Sequence, residues 1–203
     1  SELGRIFGKL QRIGIASPAV AYVSADAKNP NINALHLWQS GISLPAPKYY
    51  TEDNKYFQKI RAEFELHIIE VFKLAGIKDG QKLARQVINI ESELAKIQWS
   101  GHALKDSEKR YSPLTINALK QLTPSFNWQD LFQAQGISEQ DKIIVNQLSY
   151  IEQLQPVIEQ FSLKQWQSYL TFHTLNRLAS FLTTELAQQN HKFYKTQLNG
   201  VKD

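Results

Sequence analysis

The sequence predicts a mainly helical (α+β) fold, a helical bundle lobe with an N-terminal β-hairpin. From residue 51 onward, apolar residues recur at steps of three and four, which is the spacing of one buried helix face. Residues 19–24 instead follow a period of two, which is typical of a strand. The 203 residues include only nine Gly and seven Pro, too few for a linker or a collagen-like chain.

The composition excludes several classes of protein. The chain is 42% hydrophobic, with 23 basic and 19 acidic residues, and is therefore too apolar and too balanced in charge for a disordered tail. It has no Cys, which excludes disulfides, thiol catalysis and Cys-type zinc sites. Basic and acidic residues are mixed, as in residues 55–65, so the net charge of +4 predicts solvated faces and no nucleic-acid partner.

The two ends of the chain carry no targeting or transmembrane pattern. Residues 1–5 lack the basic and apolar regions of a secretion signal, so we expect any such signal to lie upstream or to be absent. No run approaches the roughly 18 apolar residues of a membrane-spanning helix. The C-terminus follows directly on a helical pattern, as expected for a piece of a longer protein.

The first fifty residues are predicted to form a helix, a hairpin and an ordered connection. Apolar residues from Leu3 to Ile13 predict a short helix that stops at Gly14. Turn formers at residues 26–31 separate the first strand from a second extended run at residues 35–38. Residues 41–50 contain two prolines, which block both a helix and a central strand, so we expect an ordered, aromatic-rich connection there.

Residues 51–97 are predicted to form two helices. Thr51 or Asp53 would cap the first helix and Gly76 would close it, whereas Asp79 would cap the second. Because the connection between them is so short, the two helices are expected to lie antiparallel and face to face.

Short elements are predicted between residues 115 and 145. Residues 115–122 and 128–135 have helical patterns, with Thr115 and Asn127 as N-caps and Pro124 between them. The brief apolar run at residues 143–145 is predicted to be an edge strand.

The C-terminal part is predicted to be helical. Residues 148–160 form a helix disturbed at Pro156, and Ser162 with Gln165 forms a capping box that opens the last and longest helix. This helix is predicted to run on to Leu198. Its inner face is expected to carry Trp166, Leu170, His173, Leu178, Phe181 and Leu182.

The predicted organisation has two parts. Residues 1–50 hold the N-terminal helix, the hairpin and the Pro/Tyr connection, and residues 51–203 form a helical lobe as one compact unit. The sequence contains no internal repeat and no low-complexity segment.

No histidine stands in a metal-ligand pattern. None of the five is followed by Glu, and none has a second His four positions on, so the zinc motif H-E-x-x-H does not occur. His102 with Asp106 is the only ligand-like pair, and two ligands do not close a site. We expect His102 at the surface, and His36 and His173 as hydrogen-bonded residues at the edge of the core.

The carboxylates and the aromatic residues also favour structural roles. Glu63 with Glu65, and Glu91 with Glu93, are two residues apart, so each pair points to different helix faces and is expected on solvated surface. Most Trp and Phe residues fall in step with Leu and Ile and are predicted to lie in the core. We therefore predict no catalytic residue and no metal ligand in this chain, and the sequence assigns no substrate-binding residue.

The region from the hairpin to the connection carries a more specific pattern. Residues 26–31 (DAKNPN), 33–39 (NALHLWQ) and 41–50 (GISLPAPKYY) resemble the segment D-x-K-N … Q-x-G-L-G-L-P-x-R-D-Y-Y. That segment belongs to the N-terminal, mainly helical portion of the neprilysin-like (M13) zinc metalloendopeptidases. Ile42 and Ser43 replace the usual Leu-Gly, and residues 46–48 replace the triplet before the tyrosines.

Four further matches follow in family order. Residues 90–95 (IESELA) resemble E-L-E-x-x-[IL]-A, residues 111–115 (YSPLT) resemble Y-N-x-M-T with Ser112 for the usual Asn, and residues 126–128 (FNW) resemble F-x-W. Residues 166–170 (WQSYL) and 193–200 (FYKTQLNG) are similar to the family's L-x-x-Y-L … F-Y-x-x-x-L-x-G ending. Their order makes chance improbable.

The resemblance implies a non-catalytic segment of a larger enzyme. The family's H-E-x-x-H helix, its third ligand Glu, its N-A-[FY] strand and its distal Arg do not occur in this chain, so zinc is expected only in the parent's catalytic domain. The resemblance implies that this lobe caps the active-site cavity and limits the size of peptide substrates. Its implied partners are the C-terminal catalytic domain of the same polypeptide and oligopeptides, and the segment alone is expected to be inactive.

Further expectations follow from this resemblance. A lobe that closes over a partner is expected to keep an exposed apolar patch, with the connection at residues 44–50 and the hairpin as candidates. Because extracellular animal members are cysteine-rich, a cysteine-free lobe favours a bacterial parent. An extracytoplasmic location, periplasmic or secreted, is favoured over a cytoplasmic one.

Two other interpretations stay open at this level. A free-standing helical protein- or peptide-interaction module fits composition and periodicity equally well, and only the motif order argues against it. Binding of single-stranded nucleic acid through the aromatic residues conflicts with the dispersed charge.

Overall fold

The computed structural model describes residues 2–137 and 141–200 of the chain. Its elements are α1 (Glu2–Arg12), β1 (Ala19–Asp26), β2 (Asn29–Gln39), α2 (Lys48–Thr51), α3 (Lys55–Leu74), α4 (Gly80–Ile97), a 3₁₀ helix (Gly101–Lys105), β3 (Ser112–Leu114), α5 (Ile116–Leu122), α6 (Trp128–Gln135), β4 (Ile143–Val145), α7 (Leu148–Gln160), α8 (Leu163–Leu182), α9 (Thr184–His191) and a π-helical segment (Lys192–Gln197). The predicted fold class, mainly helical with an N-terminal hairpin, is confirmed.

The chain divides into two compact units, each discontinuous in sequence. Unit one comprises Ser1–Gly41 and Ile97–Gln160, and unit two comprises Ile42–Lys96 and Phe161–Asp203. The chain thus changes unit near residues 41, 96 and 160. The predicted division at residue 50 stays a prediction about domain organisation.

Unit one contains a four-stranded sheet in the order β1-β2-β4-β3. β1 and β2 form the expected antiparallel hairpin, β4 pairs parallel with β2, and β3 pairs antiparallel with β4. The prediction that residues 143–145 form an edge strand is wrong, because β4 pairs on both sides and all three of its residues are buried. The edge strands are β1 and β3, and the periodicity did not reveal β3. Its Pro113 lacks an N–H group, and an edge position tolerates that lack.

Two glycines of α1 allow a close approach of α1 to α6 in unit one. A Cβ added at Gly4 would lie 2.5 Å from the carbonyl oxygen of Asn127, and one at Gly8 would lie 2.2 Å from that of Leu131. Both distances are shorter than any real Cβ contact, so only glycine fits at these positions. Asn127 caps α6 as predicted, and Thr115 likewise caps α5.

Two predicted caps in unit two need correction. α3 begins at Asn54, whose side chain accepts the Phe57 N–H at 3.0 Å, and neither Thr51 nor Asp53 caps it. Asp79 precedes α4 with a left-handed backbone (φ 63°), and its carbonyl group, rather than its side chain, accepts the Leu83 N–H.

The helices α3 and α4 run antiparallel, as expected from their short connection. Arg85 Nε lies 3.7 Å from Glu65 Oε1, and Gly80 lies against Ile69. These two contacts run in opposite directions along the two helices, which is the antiparallel arrangement.

The last helix is shorter than predicted. The capping box of Ser162 and Gln165 is confirmed at the start of α8. At Thr183, however, the backbone becomes extended and the Thr183 side chain accepts the Leu186 N–H at 3.2 Å, so a new helix begins there. Phe181 is consequently 84% exposed, and it and Leu182 do not lie on the inner face that the periodicity predicted.

Candidate functional site

The carboxylate of Glu91 is the centre of a buried polar cluster in unit two. Its side chain is 0% exposed. Ser43 donates to it twice, from the backbone N–H at 2.9 Å and from the hydroxyl at 2.6 Å. The Tyr50 hydroxyl donates to the same carboxylate, and His173 Nε2 lies 2.8 Å from its other oxygen. We call these four residues the Glu91 cluster.

The Glu91 cluster joins three segments that are far apart in sequence. Ser43 and Tyr50 come from the connection before α3, Glu91 from the middle of α4 and His173 from the middle of α8. The Tyr50 hydroxyl also accepts the Leu44 N–H at 2.9 Å, so the connection folds around this hydroxyl. The expected ordered connection is therefore fixed to two helices through a single carboxylate.

Burial changes the acid–base properties of the tyrosines near Glu91. Burial raises the pKa of Tyr50 well above its ordinary value, and the negative charge of Glu91 raises it further. Burial, and then the charge of Glu91, likewise raise the pKa of Tyr194. Both hydroxyls therefore stay protonated at neutral pH; that of Tyr50 donates to Glu91, and that of Tyr194 accepts a hydrogen bond from Asn176 Nδ2 at 2.9 Å.

The prediction that Glu91 lies on solvated helix surface is wrong. Its partner in the sequence pattern, Glu93, does lie at the surface and pairs with Lys96 at 2.6 Å. Each oxygen of the Glu91 carboxylate accepts two hydrogen bonds, so the site is a fully satisfied anchor. His173 is hydrogen-bonded and buried, which agrees with its predicted position at the edge of the core.

A second buried polar group of unit two surrounds His67. Its Nε2 lies 3.0 Å from Asn176 Oδ1 and its Nδ1 lies 3.1 Å from Gln189 Nε2. The ring stacks on Phe193, with centroids 4.7 Å apart and planes 13° from parallel. Burial lowers the pKa of His67 to about 4, against a smaller opposing effect of the Asn176 hydrogen bond, so His67 is neutral at physiological pH.

Unit one has its own buried carboxylate at the end of β1. Asp26 is 1% exposed and accepts hydrogen bonds from the Tyr111 hydroxyl at 2.9 Å and from the Lys28 N–H at 2.9 Å. The ammonium group of Lys142 forms an ion pair with it. Hydrogen bonds from Lys142 and then from the Lys28 backbone lower the pKa of Asp26 to about 2. We call these four residues the Asp26 cluster.

The chain shows no ligand set for a metal ion within residues 2–137 and 141–200. No three His, Asp or Glu side chains are grouped there closely enough to hold one. His102 lies exposed in the 3₁₀ helix, as predicted. The described residues therefore do not fit a zinc centre.

Comparison with protein families identifies the chain. The model of the N-terminal part of peptidase family M13 matches residues 1–203. The chain belongs to peptidase family M13. Its position in that family is the N-terminal, helical domain.

Sequence relatives of this M13 domain include the endothelin-converting enzymes. The chain is 28% identical over 188 residues to endothelin-converting enzyme 1 of Cavia porcellus, and 28% identical over the same length to that of Homo sapiens. These matches cover 89% of the chain but only 25% and 24% of the two enzymes. The chain therefore spans about a quarter of the length of these relatives.

A solved bacterial structure has the same fold. The zinc metalloprotease Zmp1 of Mycobacterium tuberculosis in its open state matches with a TM-score of 0.93 and 25% identity. The match covers 100% of this chain and 32% of Zmp1. Over the described residues of the M13 domain, no helix is both long and apolar enough to cross a membrane.

The family motifs of the sequence meet at the polar clusters. The connection motif supplies Ser43 and Tyr50 to the Glu91 cluster, and the helix motif at residues 90–95 supplies Glu91 itself. The motif at residues 26–31 supplies Asp26, and that at residues 111–115 supplies Tyr111. Residues from separate family motifs therefore contact one another in the fold. The motif patterns alone do not indicate which motif contacts which.

Proposed function

We propose that this M13 domain is the N-terminal lobe of a zinc metalloendopeptidase. In the proposed parent enzyme, the zinc ion and the catalytic residues lie in the C-terminal domain of the same polypeptide. This lobe covers the active-site cavity and excludes large substrates, so that oligopeptides are cleaved. The segment alone has no peptidase activity.

The observation that carries this proposal is the extent of the two matches. The whole chain matches an M13 family model and the fold of a zinc metalloprotease, yet it spans only 32% of that protease. A lobe of this size without a metal-ligand set within residues 2–137 and 141–200 is suited to shaping a cavity rather than to chemistry.

The two clusters support a role that needs a rigid wall. A size filter works only if its wall does not yield to a large substrate. In unit two, the Glu91 cluster fixes the connection to α4 and α8. In unit one, the Asp26 cluster fixes the end of the hairpin to the segments that carry Tyr111 and Lys142.

The two candidate segments for the expected apolar docking patch differ in how much apolar surface they expose. In the connection, Leu44 is buried, Tyr50 is half-buried with its hydroxyl bound to Glu91, and the small Pro45 is the only exposed apolar residue. In the hairpin, Val23 is 61% exposed and Ile32 is 46% exposed. We therefore assign the contact with the catalytic domain to the hairpin side of the proposed lobe.

We also propose an extracytoplasmic location, periplasmic or secreted, in a bacterial parent. The absence of cysteine from the chain and its similarity to Zmp1 support a bacterial parent. Fractionation of cells that express the full-length parent measures this location directly. Recovery of the parent in the cytoplasm alone would overturn it.

The size filter is tested on the full-length parent with matched substrates. One substrate is a short unstructured peptide, and the other is a folded protein that carries the same cleavage sequence in an exposed loop. We expect zinc-dependent cleavage of the peptide and little cleavage of the folded protein. Equal kcat/KM for both would contradict the size filter, and zinc-dependent hydrolysis by the purified 203-residue chain would contradict its inactivity.

A further inference from the structure

Arg110 lies on the face of Trp38 in unit one without an anionic partner. Its guanidinium carbon is 5.5 Å from the centre of the Trp38 ring. Its Nε atom is buried, and its side chain makes no hydrogen bond or ion pair with residues 2–137 or 141–200. The Nε atom is too buried to meet a ligand, so the accessible end of the half-buried guanidinium is the part that can bind an anion.

The acidic residues near Arg110 in sequence and space are already paired. Asp26 binds Lys142 and Tyr111, and Glu108 binds Lys28 at 3.1 Å. Asp106 lies 3.7 Å from the ammonium group of Lys109. The guanidinium of Arg110 is therefore a cation whose nearby carboxylates are engaged elsewhere.

The surroundings of Arg110 form a half-exposed aromatic face of the sheet. Trp38 lies opposite Val20 and His36 lies opposite Tyr22 in the register of β1 and β2, so Tyr22, His36 and Trp38 share one face. The Tyr22 and His36 rings stack with centroids 5.2 Å apart. Burial raises the pKa of Tyr22, and the nearby positive charge of Arg110 partly offsets this by lowering it. Arg110 is therefore close enough to interact with Tyr22.

The His36 ring supports this face from below. It is 7% exposed, its Nδ1 lies 3.4 Å from Asn146 Nδ2, and the backbone of Ser24 and Ala25 lies within reach of the ring. A guanidinium that is flanked by aromatic rings and has no anionic partner is suited to receive an oxygen anion at its accessible end. An Arg fork matches the two oxygens of a carboxylate in a way that Lys does not.

We propose that Arg110 and Trp38, with Tyr22 and His36 beside them, form a binding site for a carboxylate group presented by a peptide. The guanidinium of Arg110 donates to both carboxylate oxygens, while Trp38 and Tyr22 contact the apolar part of the neighbouring peptide residue. That the ligand is a peptide rests on the proposed function, whereas its carboxylate follows from the unpaired cation. The site lies outside the Glu91 and Asp26 clusters.

Titration of the 203-residue chain with defined peptides tests this site. The probes are the blocked peptide Ac-Ala-Leu-Glu-Ala-NH2, its Gln counterpart, and Ac-Ala-Leu-Ala-Ala with a free C-terminal carboxylate. The readout is the NMR signal of the Trp38 indole N–H, assigned with Trp38→Phe. We expect the Gln peptide to bind at least about tenfold more weakly than a carboxylate peptide, as for loss of a charge-assisted hydrogen bond. Preference for the Glu side chain or for the free C-terminus identifies the source of the carboxylate.

Variants at neighbouring cations provide the control. Arg110→Gln should weaken binding of the carboxylate peptides at least about tenfold, and Arg110→Lys should weaken it less. Lys109→Gln removes the same charge one residue away and should leave the affinity unchanged. Equal affinities of Arg110→Gln and Lys109→Gln, or equal binding of the Glu and Gln peptides, would overturn the site.

The failure of this site and that of the size filter are distinguishable. Peptide binding is measured on this chain alone, whereas size selection is measured as cleavage by the full-length parent. The amide NMR fingerprint spectrum of each variant is compared with that of the unsubstituted 203-residue chain. Matching spectra show that the fold is intact, so a loss of binding then reports on the site.

Discussion

Each of the two units contains a buried carboxylate, and the two carboxylates are stabilised in different ways. Asp26 in unit one is matched by the ammonium group of Lys142, and its pKa falls to about 2. Glu91 in unit two lies among hydroxyl and backbone donors and one histidine, and no Lys or Arg is hydrogen-bonded to it among the described residues. One cluster therefore depends on a charge pair, and the other on a complete set of hydrogen bonds.

This difference predicts how each unit responds to damage. An ion pair with an exposed lysine can rearrange with solvent when one partner is changed. A buried carboxylate that accepts hydrogen bonds from four donors is out of reach of water. If it is removed, water cannot take its place, and several donors are left without an acceptor at once. We therefore expect unit two to be the more sensitive to substitution and unit one the more sensitive to strong acid.

Substitution of Glu91 is expected to have the largest effect. Glu91→Gln replaces an oxygen that accepts two hydrogen bonds by an NH2 group that faces donors. We expect the free energy of unfolding to fall by about 3–5 kcal/mol, as for the removal of one partner from a buried network. Urea denaturation of the 203-residue chain measures this.

Glu93→Gln is the matched control for that substitution. It makes the same chemical change two residues further along α4, where Glu93 pairs with Lys96 at the surface. We expect a change within about 0.5 kcal/mol. Equal losses for Glu91→Gln and Glu93→Gln would show that the Glu91 cluster does not stabilise unit two.

The pH dependence of stability should separate His67 from Asp26. The pKa of His67 is about 4 in the folded chain and 6.5 ordinarily, so between these values the unfolded chain binds a proton that the folded chain does not. The free energy of unfolding should fall as the pH is lowered from 6.5 to 4, by about 3 kcal/mol in all. Denaturation at several pH values measures this fall.

His67→Gln is the test of that assignment. Its residue 67 cannot titrate, so its stability should fall less steeply through the same pH window than that of the unsubstituted chain. A smaller fall remains, because burial also lowers the pKa of His36. The Asp26 contribution is also lost on acidification but in a lower pH window, since it is present above the ordinary pKa of 3.8 and is lost as the pH falls towards 2. A His67→Gln profile that falls as steeply between pH 6.5 and 4 as the profile of the unsubstituted chain would refute the role of His67.

Removal of the Lys142 cation should act mainly on the acid side. Lys142→Met takes away the largest cause of the lowered pKa of Asp26, so this pKa should rise from about 2 towards 3.8. NMR titration of the Asp26 carboxyl carbon measures it. Lys109→Met, which removes an exposed cation from Asp106, should leave the pKa of Asp26 in place, and an identical shift in both variants would contradict the specific pairing.

The smallest effect is expected at Ser43. Ser43→Ala removes the hydroxyl donor at 2.6 Å but keeps the backbone N–H donor to Glu91. We expect a loss of about 1 kcal/mol, the net value of one hydrogen bond. In the Glu91→Gln background the further loss should be smaller, and full additivity in this double-mutant cycle would show that the two residues are not coupled.

The local signals in the sequence were sufficient for most elements. Thr115, Asn127 and the pair of Ser162 with Gln165 act within three residues of themselves, so these caps were predictable. The break at Thr183 was missed because apolar periodicity continues across it, although a capping Thr is itself a local signal.

The candidate site was less predictable because its contacts are distant in sequence. Glu91 binds a residue 48 positions earlier and another 82 positions later, whereas its spacing from Glu93 suggests only helix surface. The need for glycine at positions 4 and 8 likewise becomes clear only from their close contact with α6. The motif resemblance named the right segments, but pairing them required the fold.

Cleavage selectivity of the full-length parent tests most directly whether the Glu91 cluster stiffens a size-limiting lobe. Tyr50→Phe removes one donor to Glu91 while keeping the ring, and Tyr56→Phe is a control at an exposed tyrosine. For Tyr50→Phe, we predict that kcat/KM for the folded protein substrate rises relative to that for the short peptide, and that Tyr56→Phe leaves the ratio unchanged. An unchanged ratio in Tyr50→Phe, despite a measured loss of stability, would contradict this function of the cluster.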